Sequence, residues 1–353
     1  VKIAFTADVH LTSGDKHPER FHALKYMAEQ AGAEGIGHLV IAGDLFDAES
    51  RNYSEFDEFC RNSGSGLLFI ILPGNHDVQI KQKHFSADNI RVLARPEIIH
   101  FEQDDHPVLF VPYLREKGMG EVIAEHRGQL RPGGWILSGH GEWIEGMREP
   151  NPLEPGVYMP IGRNDVDLFQ PSAVMLGHIH KPTDTGRIHY PGSPCPLHIL
   201  ETGPRRFLIV ETRHAAVESR PLASDVLYFN ESFLILPVED EAEFIRNQIV
   251  KRIASWQMPD TDKRKIRIRV SVRGYTSDKQ GLAGIVADCF KGYRFYDDSG
   301  PDLSQVSISE DTERAEIARR VLLEIRKMPK PENPDDPKAD EILLQALHTI
   351  YGD

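Results

Sequence analysis

The chain has 353 residues, 40% of them hydrophobic and 27% charged, an ordinary balance for a soluble globular protein and enough length for one large catalytic domain with a smaller appendage. Its longest apolar runs, such as Leu67 to Leu72, are far too short to span a bilayer. The beginning shows no basic segment followed by a long apolar stretch, so no membrane association and a cytoplasmic location are expected. Three scattered cysteines, Cys60, Cys195 and Cys289, exclude a disulfide framework and a thiolate zinc site, and a formal charge of −13 excludes a grip on nucleic acid by overall electrostatics.

From Lys2 to about Arg220, short β-rich apolar runs alternate with amphipathic helical stretches, the pattern of an α/β domain. Lys2 to Thr6 is predicted as the first strand. Pro18 then opens a stretch that places Phe21, Leu24, Ala28 and Ala31 on one helical face. His38 to Ala42, Leu67 to Leu72, Val108 to Val111, Trp135 to Ser138 and Ala173 to Leu176 read as further buried strands.

After Arg220 the texture changes: Val226 to Leu236 reads as strand and Glu239 to Ile253 as helix. Lys265 to Arg273 alternates strictly, with Ile266, Ile268, Val270 and Val272 on one face and Lys265, Arg267, Arg269 and Arg273 on the other. That basic side fits a solvated strand face and a phosphate-contacting stripe equally well. Two helical segments, Glu310 to Met328 and Asp340 to Tyr351, flank the Pro-rich spacer Pro329 to Pro337. In the last one, Ile342, Leu343, Ala346, Leu347 and Ile350 form a stripe suited to its own domain or to a partner's helices.

Several of the predicted strands end in residues that bind metals. Lys2 to Thr6 leads into Asp8-Val9-His10, His38 to Ala42 into Gly43-Asp44, and Leu67 to Leu72 into Gly74-Asn75-His76-Asp77. Trp135 to Ser138 leads into Gly139-His140, and Ala173 to Leu176 into Gly177-His178-Ile179-His180. In an open α/β sheet ligands gather beyond the carboxyl ends of strands, so one edge can hold all of these together. On an extended chain residues i and i+2 point the same way, so Asp8 with His10, and His178 with His180, can each present two ligands to one site. The glycines stand where backbone approaches an ion or turns sharply.

The donors Asp8, His10, Asp44, Asn75, His140, His178 and His180 are two carboxylates, an amide oxygen and four imidazoles. That mixture suits Mn²⁺, Fe²⁺ or Zn²⁺ better than Ca²⁺ or Mg²⁺. The set is too large for one tetrahedral site; with Asp44 bridging it divides into two shells, implying ions about 3.5 to 4 Å apart, an arrangement that polarises a phosphoryl group.

These ordered motifs resemble the signature of calcineurin-like metallophosphoesterases. Asp8-Val9-His10-Leu11, Gly43-Asp44-Leu45-Phe46-Asp47, His178-Ile179-His180-Lys181-Pro182 and Tyr190-Pro191-Gly192-Ser193-Pro194 are similar to the SbcD nuclease family, the relatives of the eukaryotic double-strand-break repair nuclease. The protein serine/threonine phosphatase branch expects Asp-Arg-Gly after the second motif and Glu after Asn-His, whereas Phe46-Asp47-Ala48 and Asp77 occupy those places here.

The resemblance, close over Val1 to Leu200, implies a four-layer αββα sandwich at 1–222, a smaller α+β capping, DNA-binding domain at 223–308, and C-terminal helices at 309–353 as a segment that binds an ATPase. It implies two divalent cations, Mn²⁺ above all: one within Asp8, His10, Asp44 and His180, the other within Asp44, Asn75, His140 and His178. His76 then faces the scissile phosphate as a catalytic residue. Asp77, beside it, is either its orienting partner or a turn residue.

The implied activity is DNA exonuclease and endonuclease action in break repair or end processing, as a homodimer with an SMC-like coiled-coil ATPase of the SbcC type. An alternative is a phosphodiesterase or phosphatase for nucleotides or other small molecules, which the net acidity favours.

Overall fold

The computed structural model describes residues 1–48, 50, 52–64, 66–103, 105–144, 156–298, 300–309, 311, 313–325, 327–328 and 339–351. The Pro-rich spacer and Glu310 lie outside them. Contacts divide the chain into two units, one formed by Val1–Leu197 with Pro204–Val226 and the other by His198–Gly203 with Leu227–Asp353.

In the first unit β1 (Lys2–Thr6), β2 (His38–Ala42), β3 (Leu68–Leu72) and β4 (Ile90–Val92) run parallel. Parallel strands buried on both faces read as continuous apolar runs, which is why the first three were legible. The second sheet holds β5 (Glu97–Ile99), β6 (Val108–Val111), β7 (Ile136–His140), β10 (Ala173–Gly177), β11 (Thr183–Thr185) and β12 (Ile188–Tyr190), with a short ribbon of β8 (Trp143–Ile144) and β9 (Ile161–Gly162) inserted between β7 and β10. The chain then returns through β13 (Arg205–Glu211) and β14 (Ala216–Leu222), antiparallel to one another, with β13 antiparallel to β1.

Alternate residues of each strand serve opposite faces. Ile3, Phe5, Val40 and Ile70 pack against Val108, Phe110, Ile136 and Met175 between the sheets. On the outer face of the first sheet, α1 (Pro18–Ala33) and α2 (Tyr53–Asn62) bury Leu24, Met27, Ala28, Phe56 and Cys60 against Leu39, Ile41 and Phe69. On the outer face of the second, α3 (Met119–His126) and α4 (Arg163–Phe169) bury Val122, Ile123 and Phe169 against Leu109, Leu137 and Val174. This is the αββα sandwich. Within each sheet the metal-bearing strands are mutually parallel, so their carboxyl ends share an edge.

The second unit is a parallel sheet of β15 (Leu227–Ile235), β16 (Ile266–Thr276), β17 (Arg294–Phe295) and β18 (Asp302–Ile308). Ile266, Ile268, Val270 and Val272 pack against Ile245 and Ile249 of α5 (Glu241–Ser255) and Leu282 and Val286 of α6 (Lys279–Cys289). Asp240 and Asp278 cap these helices, accepting from the Glu243 and Gly281 N–H groups at 2.8 and 2.9 Å. Lys265 departs from the expected strand: it ends the 3₁₀ turn Asp260–Lys265.

The last helices, α7 (Glu313–Ile325) and α8 (Ala339–Tyr351), bury Ala318, Leu322, Leu343, Leu347 and Tyr351 against Leu236 and Tyr275. The apolar stripe of α8 is therefore used inside its own unit. Among the described residues no helix is long and apolar enough to cross a membrane.

Candidate metal centre

The loops after β1 and β2 are zipped together by backbone hydrogen bonds. The N–H groups of Asp8, His10 and Leu11 donate to the carbonyls of Gly43, Asp44 and Leu45 at 3.1, 3.0 and 2.8 Å. The pairing holds Asp8, His10 and Asp44 at φ of 54°, 49° and 49°, left-handed backbone that costs non-glycine residues about 1–3 kcal/mol each. The expected extended i, i+2 geometry is thus corrected at this turn: both side chains reach one cluster because the backbone is forced out of the strand conformation. Gly43 must be glycine, since its φ is 93° and a Cβ there would lie 1.9 Å from His140 Nδ1.

Two groups of side chains result. The ligand atoms of Asp8, His10 and His180 lie within 4.8 Å of one another, as do those of Asp44, His140 and His178. His10 Nε2 is 3.2 Å from His180 Nε2. Asn75 Oδ1 joins the second group, 2.7 Å from His140 Nε2 and 3.2 Å from His178 Nδ1. Asp44 Oδ2 stands between the groups, 3.8 Å from His10 Nε2 and 3.4 Å from His140 Nε2. His178 and His180, expected to serve one site, part company: His178 sits at φ 96°, and its ring joins Asp44 and His140 while His180 joins Asp8 and His10.

The donor chemistry tests whether cations fit. His140 Nδ1 is 2.9 Å from the Ala42 carbonyl, so in the neutral ring Nδ1 carries the proton and Nε2 turns a lone pair toward Asn75 Oδ1 and Asp44 Oδ2. Acceptors converging with no donor among them repel unless a proton or cation sits between them. Imidazole, carboxylate and amide oxygen together suit a divalent transition ion, and the residues fit a pair of them.

Electrostatics agree. Burial would raise Asp44, but His140, His10 and His76 outweigh it and hold the carboxyl well below the usual range. Burial raises Asp8, with His180 and His140 opposing. Burial also pushes His10 well below its ordinary value. It would lower His140 too, yet Asp44 and Asp8 outweigh it and lift that imidazole to about 9.

His76 lies at the margin of this cluster, its ring 4.8 Å from that of His10 and its N–H donating to Asp44 Oδ1 at 2.9 Å. Its ring nitrogen falls within 4.8 Å of ligand atoms of His10 and Asp47, so Asp47 is the carboxylate beside it. Asp77 is held by backbone N–H groups. Its Oδ1 accepts from Gly74 N–H at 2.7 Å and its Oδ2 from Phe46 N–H at 2.9 Å, which ties the loop after β3 to the loop after β2. With both oxygens engaged by backbone, Asp77 fits the turn-residue alternative.

Sequence reasoning passed over Asp47, Glu142 and two buried arginines. Arg20 donates to the His10 carbonyl and Arg205 Nη1 to the His180 carbonyl, the latter at 3.0 Å. Glu142 Oε1 is 3.0 Å from His178 Nε2. Glu142 could have been found as the residue two beyond His140; Arg205, twenty-five residues after His180, gave no signal.

The four basic residues belong to the second unit. Lys265 pairs with Asp262 at 3.0 Å, and Arg269 pairs with Asp297 at 2.9 Å over the ring of Tyr296. Arg273 lines a cavity with Leu322, Ile325 and Leu343, and Arg267 is exposed.

The model of the calcineurin-like phosphoesterase family matches residues 1–182. The chain belongs to that family. That family is one of phosphoesterases, and it uses divalent metal ions.

Among curated proteins, the uncharacterized metallophosphoesterase YhaO of Bacillus subtilis (strain 168) is 25% identical over 257 residues, 63% of this chain. The chain spans about 60% of the length of that relative. Among solved structures, TT1561 of Thermus thermophilus gives a TM-score of 0.35 at 14% identity over 62% of this chain and 98% of that one. The cold-active protein-tyrosine phosphatase of a psychrophilic Shewanella gives 0.32 at 13% over 62% and 80%. These two likenesses are too distant to bear on function.

Proposed function

We propose that this phosphoesterase is a Mn²⁺-dependent DNA exonuclease and endonuclease of the SbcD type. It would process DNA ends in double-strand-break repair as a homodimer with an SMC-like coiled-coil ATPase. What carries the reading is the meeting of Asp8, His10, Asp44, Asn75, His140, His178 and His180 around two cation-sized clusters, with His76 at their margin. Support for the nuclease branch comes from the likeness of the runs Gly43-Asp44-Leu45-Phe46-Asp47 and His178-Ile179-His180-Lys181-Pro182 to that family's motifs.

A bound pair of divalent ions supplies polarisation of the phosphoryl group and acidification of water. The chain's own residues do the rest. Asp44 is shared by both clusters and fixes their spacing, while the His140 and His178 rings close the inner side. His76 stabilises charge on the phosphoryl oxygens and donates a proton to the leaving alkoxide, with Asp47 orienting its ring. With α8 buried in its own unit, the ATPase would meet other surface, such as exposed Ile317 and Leu323 of α7.

A second reading, hydrolysis of small nucleotide phosphodiesters, is favoured by the net charge of −13. Purified chain with Mn²⁺ should degrade linear duplex DNA faster than cyclic nucleotides or bis(p-nitrophenyl) phosphate, and His76→Ala should lose about 10²- to 10⁴-fold in turnover. Hydrolysis of the small substrates alone, with DNA untouched in the presence of the ATPase, would establish the second reading instead.

A further inference from the structure

We propose that Glu142 is a positioning residue for the metal centre: it accepts the Nε2–H of His178 and so fixes the tautomer that aims Nδ1 at the cation shared with Asp44, Asn75 and His140. The inference rests on the dimetal reading and names a residue that the motifs do not contain.

Three observations carry it. Burying a carboxylate is expensive unless it is hydrogen-bonded to something that needs it, and the Glu142 side chain is 1% exposed. Its partner is the Nε2 of His178, 3.0 Å away, and the other nitrogen of the same ring faces Asn75 Oδ1 at 3.2 Å. An imidazole that gives its proton to a carboxylate on one side presents a lone pair on the other, with greater basicity and a fixed ring plane.

The Glu142 main chain is held on both sides. The Glu142 N–H donates to the Tyr158 carbonyl at 3.0 Å, and the Glu142 carbonyl accepts from Ile161 N–H at 2.8 Å. Tyr158 lays its ring 4.7 Å from that of His178.

The neighbouring ligand shows the contrast. His140 gives its Nδ1 proton to the backbone carbonyl of Ala42 and presents Nε2. The two rings thus approach one cluster through opposite nitrogens, each fixed by a different acceptor. The acceptor behind His140 is main chain and cannot be mutated away, whereas the one behind His178 is a side chain. Removing Glu142 lets the His178 ring take the Nδ1–H tautomer and turn a proton toward the cation position. One of the two ions is then weakened and the other, held by Asp8, His10 and His180, is spared.

The experiment is a calorimetric titration of the ion-free full chain with Mn²⁺, repeated for Glu142→Ala and Glu142→Gln, with the visible absorption spectrum of the Co²⁺-loaded forms. Wild type should bind two ions. Glu142→Ala should weaken one binding step about 10- to 100-fold and leave the other unchanged. Glu142→Gln, whose amide oxygen still accepts the Nε2–H, should lose less and shift the Co²⁺ spectrum. Folding of each variant is checked by thermal melting without metal.

Two ions bound to Glu142→Ala with wild-type affinities would overturn the inference alone. If that variant does not fold, the same result for Glu142→Gln with an unchanged Co²⁺ spectrum would do so. Wild-type chain that binds no ion would overturn the dimetal reading, and this assignment with it.

Discussion

At the scale of single residues, the division of labour among the acidic groups decides what each substitution should do. Asp77 holds two buried backbone N–H groups, so Asp77→Ala strands both and should cost about 1–3 kcal/mol for each in a urea unfolding experiment. Asp47 instead has a carboxylate oxygen within 4.8 Å of a His76 ring nitrogen and is half-exposed. Asp47→Ala should lower turnover while leaving the urea midpoint close to wild type. Equal stability losses for the two would undo the distinction.

The metal-bearing motifs were legible because each follows a strand whose apolar run is unbroken, so position along the sheet could be inferred without any knowledge of contacts. The partners of Asp47 and Glu142 were not, because they lie in other segments. Glu142 meets a histidine thirty-six residues on, and no local pattern encodes that meeting. Nor did spacing reveal that Asp8, His10 and Asp44 stand at positive φ, since the hydrogen bonds that hold this run between two loops.

At the scale of elements, length alone did not decide what was legible: the four-residue β6 was read from its apolar run, whereas α2 and α6, of ten and eleven residues, were not. The eleven-residue β16 alternates so regularly that its inner face was identified residue by residue. The helices α3 and α4, of eight and seven residues, are too short to show a stripe.

The anchoring of α2 is polar. Asp57 accepts from Ser86 and Ala87 N–H at 2.7 and 2.8 Å and from Arg61 at 2.5 Å. Burial opposes ionisation, but these bonds outweigh it and hold the Asp57 carboxyl below its ordinary 3.8. A depressed folded-state pKa stabilises fully above the unfolded value and is lost as pH falls through the folded one. Wild type should therefore lose stability below about pH 4 more steeply than Asp57→Asn, measured by urea midpoints across that range; parallel pH profiles would contradict this.

For the C-terminal pair, Leu347 is fully buried against Leu236 and Tyr275. Leu347→Ala should cost about 2–5 kcal/mol in the unfolding of the second unit. An unchanged transition would mean that α8 owes nothing to its own unit and is available to a partner.

At the scale of the whole molecule, the fold gathers the ends of strands far apart in sequence at the carboxyl edges of two sheets, and under the proposed function a chain with a charge of −13 would rely on concentrated local charge to engage a phosphodiester. The basic stripe offers less than its spacing promised, because Lys265 and Arg269 are engaged with Asp262 and Asp297. Bound cations would add positive charge to the first unit. Their presence can be seen directly in crystals of the chain soaked in Mn²⁺, with anomalous diffraction recorded at the manganese edge. Two peaks about 3.5 to 4 Å apart, one beside Asp8, His10 and His180 and one beside Asn75, His140 and His178, with Asp44 touching both, are expected; a map with no peak among these residues would contradict the dimetal centre.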